Sequence, residues 1–385
     1  MTVLIQDCAR NNVASWAENA LGGGDVSGVM LSPFCSPRDA NGYKPSPEAV
    51  SERVRAKSGD FWFDPSTHVL QMPSVGDFRY YAGWDLWGGA RGDLSTTALQ
   101  TAHVRKVFAT QRALNARLLA PTLLLHSSQS STSLQAIELA RVARIEAQDG
   151  ELWLSVVGDS HFWSSGTDLD GFIGTLDQLN PTGWVLSVAR PLTGVPAAAE
   201  MQEISGLMRT TLALSQNAEV VIGHGDLAAL PAAAVGATTL GSGWDVRQRV
   251  LAYPDFAERA TESGTGGAWY SRPTLLGLFG SVLPTEFSVL SDQRPTLASA
   301  LYAGAYFEGP ENAFRHHAQV LNASMAHFVG LSAQQSVELL RDQYLTALGQ
   351  WPTVQGITRC ATAGDQWISS LLAGLDQFIS DEGWS

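Results

Sequence analysis

Short apolar runs alternate with helix-compatible segments through the first two thirds of this chain. Segments such as Leu134 to Ala147 carry apolar residues at helical spacing, and each lies between two runs of strand length. A continuous apolar run is typical of a parallel strand that is buried on both faces. The eight runs are Val3 to Ile5, Val29 to Leu31, Phe61 to Phe63, Thr122 to Leu125, Leu152 to Val157, Trp184 to Val188, Val220 to Ile222 and Thr238 to Leu240.

Eight strands that alternate with helices predict an α/β fold, a (β/α)8 TIM-type barrel over residues 1–260. An open, doubly wound sheet is the alternative, because short apolar runs do not reveal whether a sheet closes. Residues 261–385 have a different pattern. They predict helices over Ala298 to Val329, Ser332 to Leu348 and about Ala363 to Ser380, which we interpret as a helical extension packed on the barrel.

Composition narrows the class of protein. Hydrophobic residues make up 45% of the chain and charged residues 16%, enough for a large core, and no apolar run approaches the roughly 20 residues of a membrane helix. A net charge of -13 argues against nonspecific nucleic-acid binding. The start of the chain has no signal-peptide pattern, and three cysteines are too few for a disulfide framework. We therefore expect an acidic, soluble, cytoplasmic protein.

Polar side chains cluster directly after the predicted strands, where a barrel assembles its active site. Asp64 follows an aromatic run that would desolvate it, and Asp245 follows the eighth strand. Two such carboxylates could serve as base and acid on one substrate, so we predict Asp64 and Asp245, with Asp159 as a third candidate, to be catalytic. The predicted substrate-binding residues are His68, Gln71, His126, His161, Arg190, His224, Gly241, Gly243, Arg247 and Arg249.

Two features of this set suggest ligands. Gly241 and Gly243 would let the backbone approach an anionic group, with Arg247 and Arg249 close behind them in sequence. The histidines leave a metal site as an alternative, in which His126, His161 or His224 meets Asp7 or Asp159. The chain contains no His-Glu-x-x-His or Cys-x-x-Cys motif. We therefore predict no cofactor, with zinc or another divalent metal ion as the alternative.

The order of these features resembles the barrel of the tRNA-guanine transglycosylases. Asp64 ends the third strand and is followed by Gln71, while Gly223 and Gly225 form a Gly-x-Gly turn after the seventh strand. An alanine-rich helix and Gly236 then lead into the eighth strand. The resemblance covers roughly residues 61–249. It implies that an aspartate of the last strand attacks the ribose carbon while the earlier aspartate acts in base exchange.

The chain departs from that family in three respects. The family's Asp-Ser-Gly-Gly-Phe-Gln stands here only as Asp64-Pro65-Ser66-Thr67. Its nucleophile aligns with Gly241, which leaves Asp245 four residues later. The family's cysteine-rich zinc site is absent from the sequence.

These features predict a barrel enzyme that acts at a glycosidic bond of a nucleoside or nucleotide-like substrate, by hydrolysis or base exchange. A noncatalytic barrel that serves as a binding or assembly subunit is one alternative, and a metal-dependent hydrolase is another. The expected partner is a small-molecule or nucleotide-like substrate, with no membrane. A second copy of the chain or a partner protein would bind through the helical tail.

Overall fold

The computed structural model describes residues 1–6, 15–42, 44–148, 150–197, 199–258, 272–360 and 364–384. Asp7 and the segment 259–271 lie outside the described residues. Eight strands lie where the apolar runs predict them. They are β1 (Thr2–Gln6), β2 (Gly28–Leu31), β3 (Asp60–Phe63), β4 (Leu124–Leu125), β5 (Trp153–Gly158), β6 (Gly183–Arg190), β7 (Glu219–Gly223) and β8 (Thr239–Ser242).

The strands form one parallel sheet in the order β3-β2-β1-β8-β7-β6-β5-β4. The first strand pairs with the last, with Val3 opposite Leu240 and Ile5 opposite Ser242. An open doubly wound sheet does not pair its strands in this cyclic order. The fold is therefore a (β/α)8 TIM-type barrel with a C-terminal helical extension, as the sequence predicts.

The barrel has a seam between β3 and β4. No strand ladder joins these two strands among the described residues. A backbone hydrogen bond from Arg117 N to Phe61 O (3.2 Å) crosses the gap. The side chain of Gln111 also spans it, since Nε2 donates to the carbonyl oxygens of Phe63 (2.9 Å) and Leu119 (2.8 Å). A side-chain amide thus replaces part of the missing ladder.

Helices cover the outside of the barrel and form the extension. In chain order they are α1 (Ser15–Gly22), α2 (Pro47–Ala56), α3 (Arg79–Ala82), α4 (Thr97–Ala113), α5 (Ser131–Ala147), α6 (Ser160–Trp163), α7 (Thr167–Asp177), α8 (Met201–Leu214), α9 (Leu230–Ala234), α10 (Val246–Arg249), α11 (Tyr253–Phe256), α12 (Pro284–Gln293), α13 (Pro295–Tyr302), α14 (Pro310–Ala326), α15 (Ala333–Thr358) and α16 (Asp365–Asp381). Short 3₁₀ helices span Thr67–Gln71, Asp226–Ala229 and Leu276–Leu278.

Three short strands follow the barrel strands. β9 (Leu251–Ala252) pairs with the end of β6, and β10 (Thr274–Leu275) pairs antiparallel with β11 (Gly280–Ser281). The extension therefore contains a small hairpin that the sequence analysis did not predict, since strands of two residues carry no detectable alternation. The single helix predicted over Ala298 to Val329 is also wrong. It is divided into α13 and α14, because Ala303 takes a left-handed φ of 58° that ends α13.

The extension packs directly on the barrel. Helix α14 lies against β1 and α9, and α16 lies against α8. The position beside β1 is that of the last outer helix of a TIM barrel. One apolar core runs from the barrel strands into α14, α15 and α16.

Alternate residues of each strand face two different layers, which explains why the strands read as continuous apolar runs. Val3, Ile5, Val29 and Leu31 belong to the core beneath the helices. The barrel interior has its own layer, to which six strands and the segment before β4 each contribute one residue. Its members are Leu4, Met30, Trp62, Leu119, Trp153, Val185 and Val221.

Candidate active site

A polar layer lies at the carboxyl ends of the barrel strands. Side chains two positions apart on a strand point to the same face, so the next interior layer lies two residues beyond the apolar one. This step leads from Leu4 to Gln6, from Trp62 to Asp64 and from Val185 to Ser187. All three polar residues line one cavity, together with Ser32, His68, Gly223 and His224.

Asp64 is the acidic group of this cavity. Burial raises the pKa of its carboxyl group above the ordinary value, although a hydrogen bond from the Ser66 backbone and the nearby His224 oppose the shift. The Ser66 N–H donates to Asp64 Oδ1 over 2.6 Å and fixes the carboxyl group. Ser66 itself takes a left-handed φ of 49°. A carboxyl group with a raised pKa is suited to proton transfer near neutral pH.

Two histidines accompany Asp64. Burial lowers the pKa of His68 to about 3 and that of His224 to about 4, so both imidazoles are neutral at pH 7. The Nδ1 of His224 lies 3.1 Å from the carbonyl oxygen of Gln248. Because a carbonyl only accepts, Nδ1 carries the proton and Nε2 has the free lone pair. His224 is therefore set up as a proton acceptor close to Asp64.

Gln6 adds an unsatisfied donor. Its side chain is 2% exposed, and its Nε2 has no hydrogen-bond partner among the described residues. The atom lies beside Gly241, where an added Cβ would come within 2.6 Å of it. A buried N–H group without a partner costs about 1–3 kcal/mol. The sequence pattern did not indicate Gln6 or Ser187, because both lie within strands and their inward orientation follows only from the position of the interior layer.

The cavity is small in this structure. Leu251 and Phe256 form part of its wall and leave about 20 Å³ inside, space for about one water molecule. The segment that carries them is fixed at both ends. β9 pairs with β6, and the Gly76 N–H donates to Phe256 O over 2.8 Å. Any larger ligand requires this segment to move.

Asp245 does not face Asp64 across this cavity. It is the N-cap of α10 and is 1% exposed. Its carboxylate accepts hydrogen bonds from the backbone and guanidinium of Arg247, and the two residues form an ion pair. The paired aspartates of the sequence analysis are therefore not brought together.

The predicted anion loop is occupied by protein contacts. Arg249 donates from Nε to Gly243 O over 2.7 Å and lies 4.0 Å from Asp226. Gly241 belongs to β8, where an added Cβ would lie 2.7 Å from the backbone nitrogen of His224. Gly241 thus permits close packing of the strand ends, and a Cβ at Gly243 would come within 2.5 Å of the Gln248 side chain.

The other predicted residues lie around the rim or in the wall. Gln71 Oε1 accepts from Leu124 N over 2.7 Å and holds the start of β4. Arg190 forms a two-point ion pair with the buried Glu203. Asp159 caps α6 through Oδ1, and its Oδ2 lies 2.5 Å from Nδ1 of the exposed His126. His161 is exposed on α6.

The described part of the chain contains no group of three His, Cys, Asp or Glu side chains that could hold a metal ion. His126 and Asp159 meet, but His224 lies with Asp64 and His68. Asp7, a member of the predicted set, is outside the described residues.

Among the helices of the described residues, none is long and apolar enough to cross a membrane.

No model of a known protein family matches the chain, and no curated protein matches it. Solved structures do align with it. An L-ribulose 3-epimerase is 12% identical over 88% of this chain and 97% of its own, with a TM-score of 0.38. The spore cortex-lytic enzyme SleL of Bacillus megaterium QM B1551 is 10% identical over 98% and 73%, also with a TM-score of 0.38. A xylose isomerase-like TIM barrel fused to 4-hydroxyphenylpyruvate dioxygenase is 11% identical over 90% and 44%, with a TM-score of 0.33.

These likenesses concern the barrel fold and carry no inference about activity. The resemblance to the tRNA-guanine transglycosylases is wrong, because the aligned barrels are an epimerase and a xylose isomerase-like protein. The motif that suggested it has a different physical basis. The Gly-x-Gly turn at Gly223 and Gly225 reflects tight packing, since a Cβ at Gly225 would come within 2.8 Å of Ile222.

Proposed function

We propose that this chain is a barrel enzyme that transfers a proton on a small, uncharged, polar substrate. The supporting observation is the grouping of Asp64, His68 and His224 around one cavity at the carboxyl ends of the strands. Asp64 acts as the acid or base, and the neutral His224 acts as the complementary group. Groups whose environments move their pKa values in opposite directions are typical of acid and base pairs in enzymes.

The substrate is neutral and carries oxygen functions in this proposal. The cavity lining holds one carboxyl group, two neutral imidazoles, the Gln6 amide and the Ser187 hydroxyl. None of these is a cation that would hold a phosphate. Gln6 Nε2 would donate to a carbonyl or hydroxyl oxygen of the substrate. Entry of the substrate displaces the segment that carries Leu251 and Phe256.

Action at a glycosidic bond is the narrower version of this proposal. It would use Asp64 with His224, because Asp245 is held by Arg247. A binding or assembly subunit is the second candidate. It is favoured by the pairing of Asp245 with Arg247 and of Asp226 with Arg249, since a scaffold neutralises its buried aspartates.

A ligand screen by thermal shift tests the proposal on the wild type, Asp64→Asn and Asp60→Asn. The panel contains nucleosides, nucleobases, neutral sugars, sugar phosphates and divalent metal ions. Asn at position 64 keeps the oxygen that accepts from Ser66 N, so the fold is retained. Asp60 is the matched control, because it lies at the opposite end of β3 and pairs with Arg117.

We expect a neutral compound to raise the melting temperature of the wild type and Asp60→Asn but not of Asp64→Asn. That compound is then incubated in D₂O, and deuterium incorporation is followed by mass spectrometry. Release of a free base from a nucleoside would support the glycosidic version. A panel without any stabilising compound would contradict the enzyme and favour the assembly subunit.

A further inference from the structure

We propose that His317, in the helical extension, is a positioning residue for the candidate active site. It holds the turn after β7 that carries His224. The role in a reaction rests on the proposed function, whereas the positioning itself does not. The extension would then be required for the geometry of the site as well as for packing.

The turn after β7 has a costly backbone conformation. His224 takes a φ of 50° and Asp226 a φ of 47°, on either side of Gly225. A side-chain-bearing residue in the left-handed region is strained and persists only where its surroundings fix it. Two such residues within three positions therefore need strong contacts nearby.

Asp226 supplies those contacts. Its Oδ1 accepts from the hydroxyl of Ser242 on β8 over 2.6 Å and lies 2.5 Å from Nε2 of His317. The guanidinium of Arg249 lies 4.0 Å away. Asp226 thus joins the end of β7 to the end of β8 and to α14.

The orientation of His317 is fixed from its other side. Its Nδ1 lies 2.8 Å from Oγ1 of Thr274 on β10. A carboxylate only accepts, so Nε2 of His317 donates to Asp226, and Nδ1 of the neutral ring accepts from the Thr274 hydroxyl. These three side chains are 1% to 3% exposed. Two cavities that the described residues form at the carboxyl ends of the strands are not lined by His317, Asp226 or Thr274. A substrate bound in either cavity would not contact these side chains, which favours positioning over direct catalysis.

The same helix makes a second connection at the opposite end of the barrel. Arg315 donates from Nε to Asp25 Oδ2 over 2.6 Å, and Gln319 donates to Asp25 Oδ1 over 2.8 Å. Asp25 precedes β2, at the amino end of the strands, whereas His224 follows β7 at their carboxyl end. Loss of this connection should loosen α14 without acting on the turn after β7. It provides a matched control for a purely structural role.

The test uses the full chain labelled with ¹⁵N-histidine, with the His224 signals assigned from His224→Gln. In the wild type we expect one tautomer at neutral pH, with Nδ1 protonated, because of the Gln248 carbonyl. In His317→Phe, which keeps the ring volume and loses both nitrogens, the Nδ1 and Nε2 signals should move towards a mixture of tautomers. His317→Gln, which retains a donor, should restore the wild-type signals in part, and Asp25→Asn should leave them unchanged.

Unchanged His224 signals in His317→Phe would overturn the proposal, even where that variant is as destabilised as Asp25→Asn. Should His317→Phe not fold, Thr274→Val removes only the outer hydrogen bond and should produce a smaller shift in the same direction. The readout needs no substrate, so failure of the ligand screen leaves this test intact. Where an activity is found, kcat of His317→Phe should fall on the order of 10- to 100-fold with KM little changed, since small misplacements act on the chemical step.

Discussion

The Nε2 of His317 lies 2.5 Å from Oδ1 of Asp226, although 91 positions separate the two residues in the sequence. Burial raises the pKa of Asp226, but the nearby His317 and Arg249 outweigh this effect and hold it below the ordinary value. Burial and Arg249 lower the pKa of His317. The pair is thus a carboxylate that accepts from a neutral imidazole, and it connects the helical extension to the end of the barrel.

Removal of the imidazole should therefore destabilise the whole chain. We expect His317→Phe to lower the free energy of unfolding by about 1.5–3 kcal/mol, because the buried Asp226 carboxylate loses a hydrogen-bond donor. Thr274→Val should cost only about 1 kcal/mol, the net value of one hydrogen bond. Urea unfolding followed by circular dichroism measures both. Equal losses in the two variants would show that the hydrogen bond from His317 to Asp226 contributes no more than the outer hydrogen bond from Thr274.

The seam of the barrel depends on Gln111. We expect Gln111→Leu to lower the free energy of unfolding by roughly 2–4 kcal/mol, because the carbonyl groups of Phe63 and Leu119 lose their donor in a buried setting. Gln100→Leu is the matched control on the same helix, where the amide donates to the loop carbonyl of Leu94. We expect Gln100→Leu to lower the free energy of unfolding by only about 1 kcal/mol. A Gln100→Leu variant as unstable as Gln111→Leu would contradict this role of the seam.

Gly241 separates the ends of β7 and β8. In Gly241→Ala the new Cβ would lie 2.7 Å from the His224 backbone nitrogen, so the turn must move. We expect a loss of about 1–3 kcal/mol in unfolding free energy and loss of binding of any compound found in the ligand screen. Gly174→Ala, in α7 with no atom within 4 Å of the new Cβ, should instead stabilise by about 0.5–1 kcal/mol. If Gly241→Ala still bound that compound as tightly as the wild type, the assignment of the candidate active site would be contradicted.

Stability should fall in mild acid. Burial lowers the pKa of His68 to about 3 and that of His103 and His224 to about 4, whereas the unfolded chain titrates near 6.5. The unfolded state therefore binds more protons below pH 6.5, and the stabilisation is lost as the pH falls towards 4. The slope is up to about 1.4 kcal/mol per pH unit for each group. Asp64 acts oppositely, because its raised pKa favours the folded state at low pH.

Urea unfolding at about pH 7.5, 6.0, 5.0 and 4.5 measures the loss of stability across this window. In His68→Gln the slope of the free energy of unfolding against pH should fall by the equivalent of about one proton. A free energy of unfolding that stays constant from pH 7.5 to 4.5 would show that these histidines are not held neutral by burial.

The sequence alone determined the strands and the type of sheet. Their faces pack against helices on one side and against each other inside the barrel, so every strand residue between Val3 and Ile5 or between Phe61 and Phe63 is apolar. It also determined that Asp64 and His224 stand at the carboxyl ends of strands, since that position follows from the end of an apolar run.

Tertiary structure alone decided which of these groups meet. Asp64 directly follows β3 and lines the cavity, whereas Asp245 lies beyond the end of β8, caps α10 and is paired with Arg247. Gln6 entered the site because the pleat turns it inward, although nothing in its neighbourhood marks it as functional. His317 reaches Asp226 because α14 packs beside β1. Contacts between residues far apart in sequence have no local pattern, because they depend on how separate elements pack against one another.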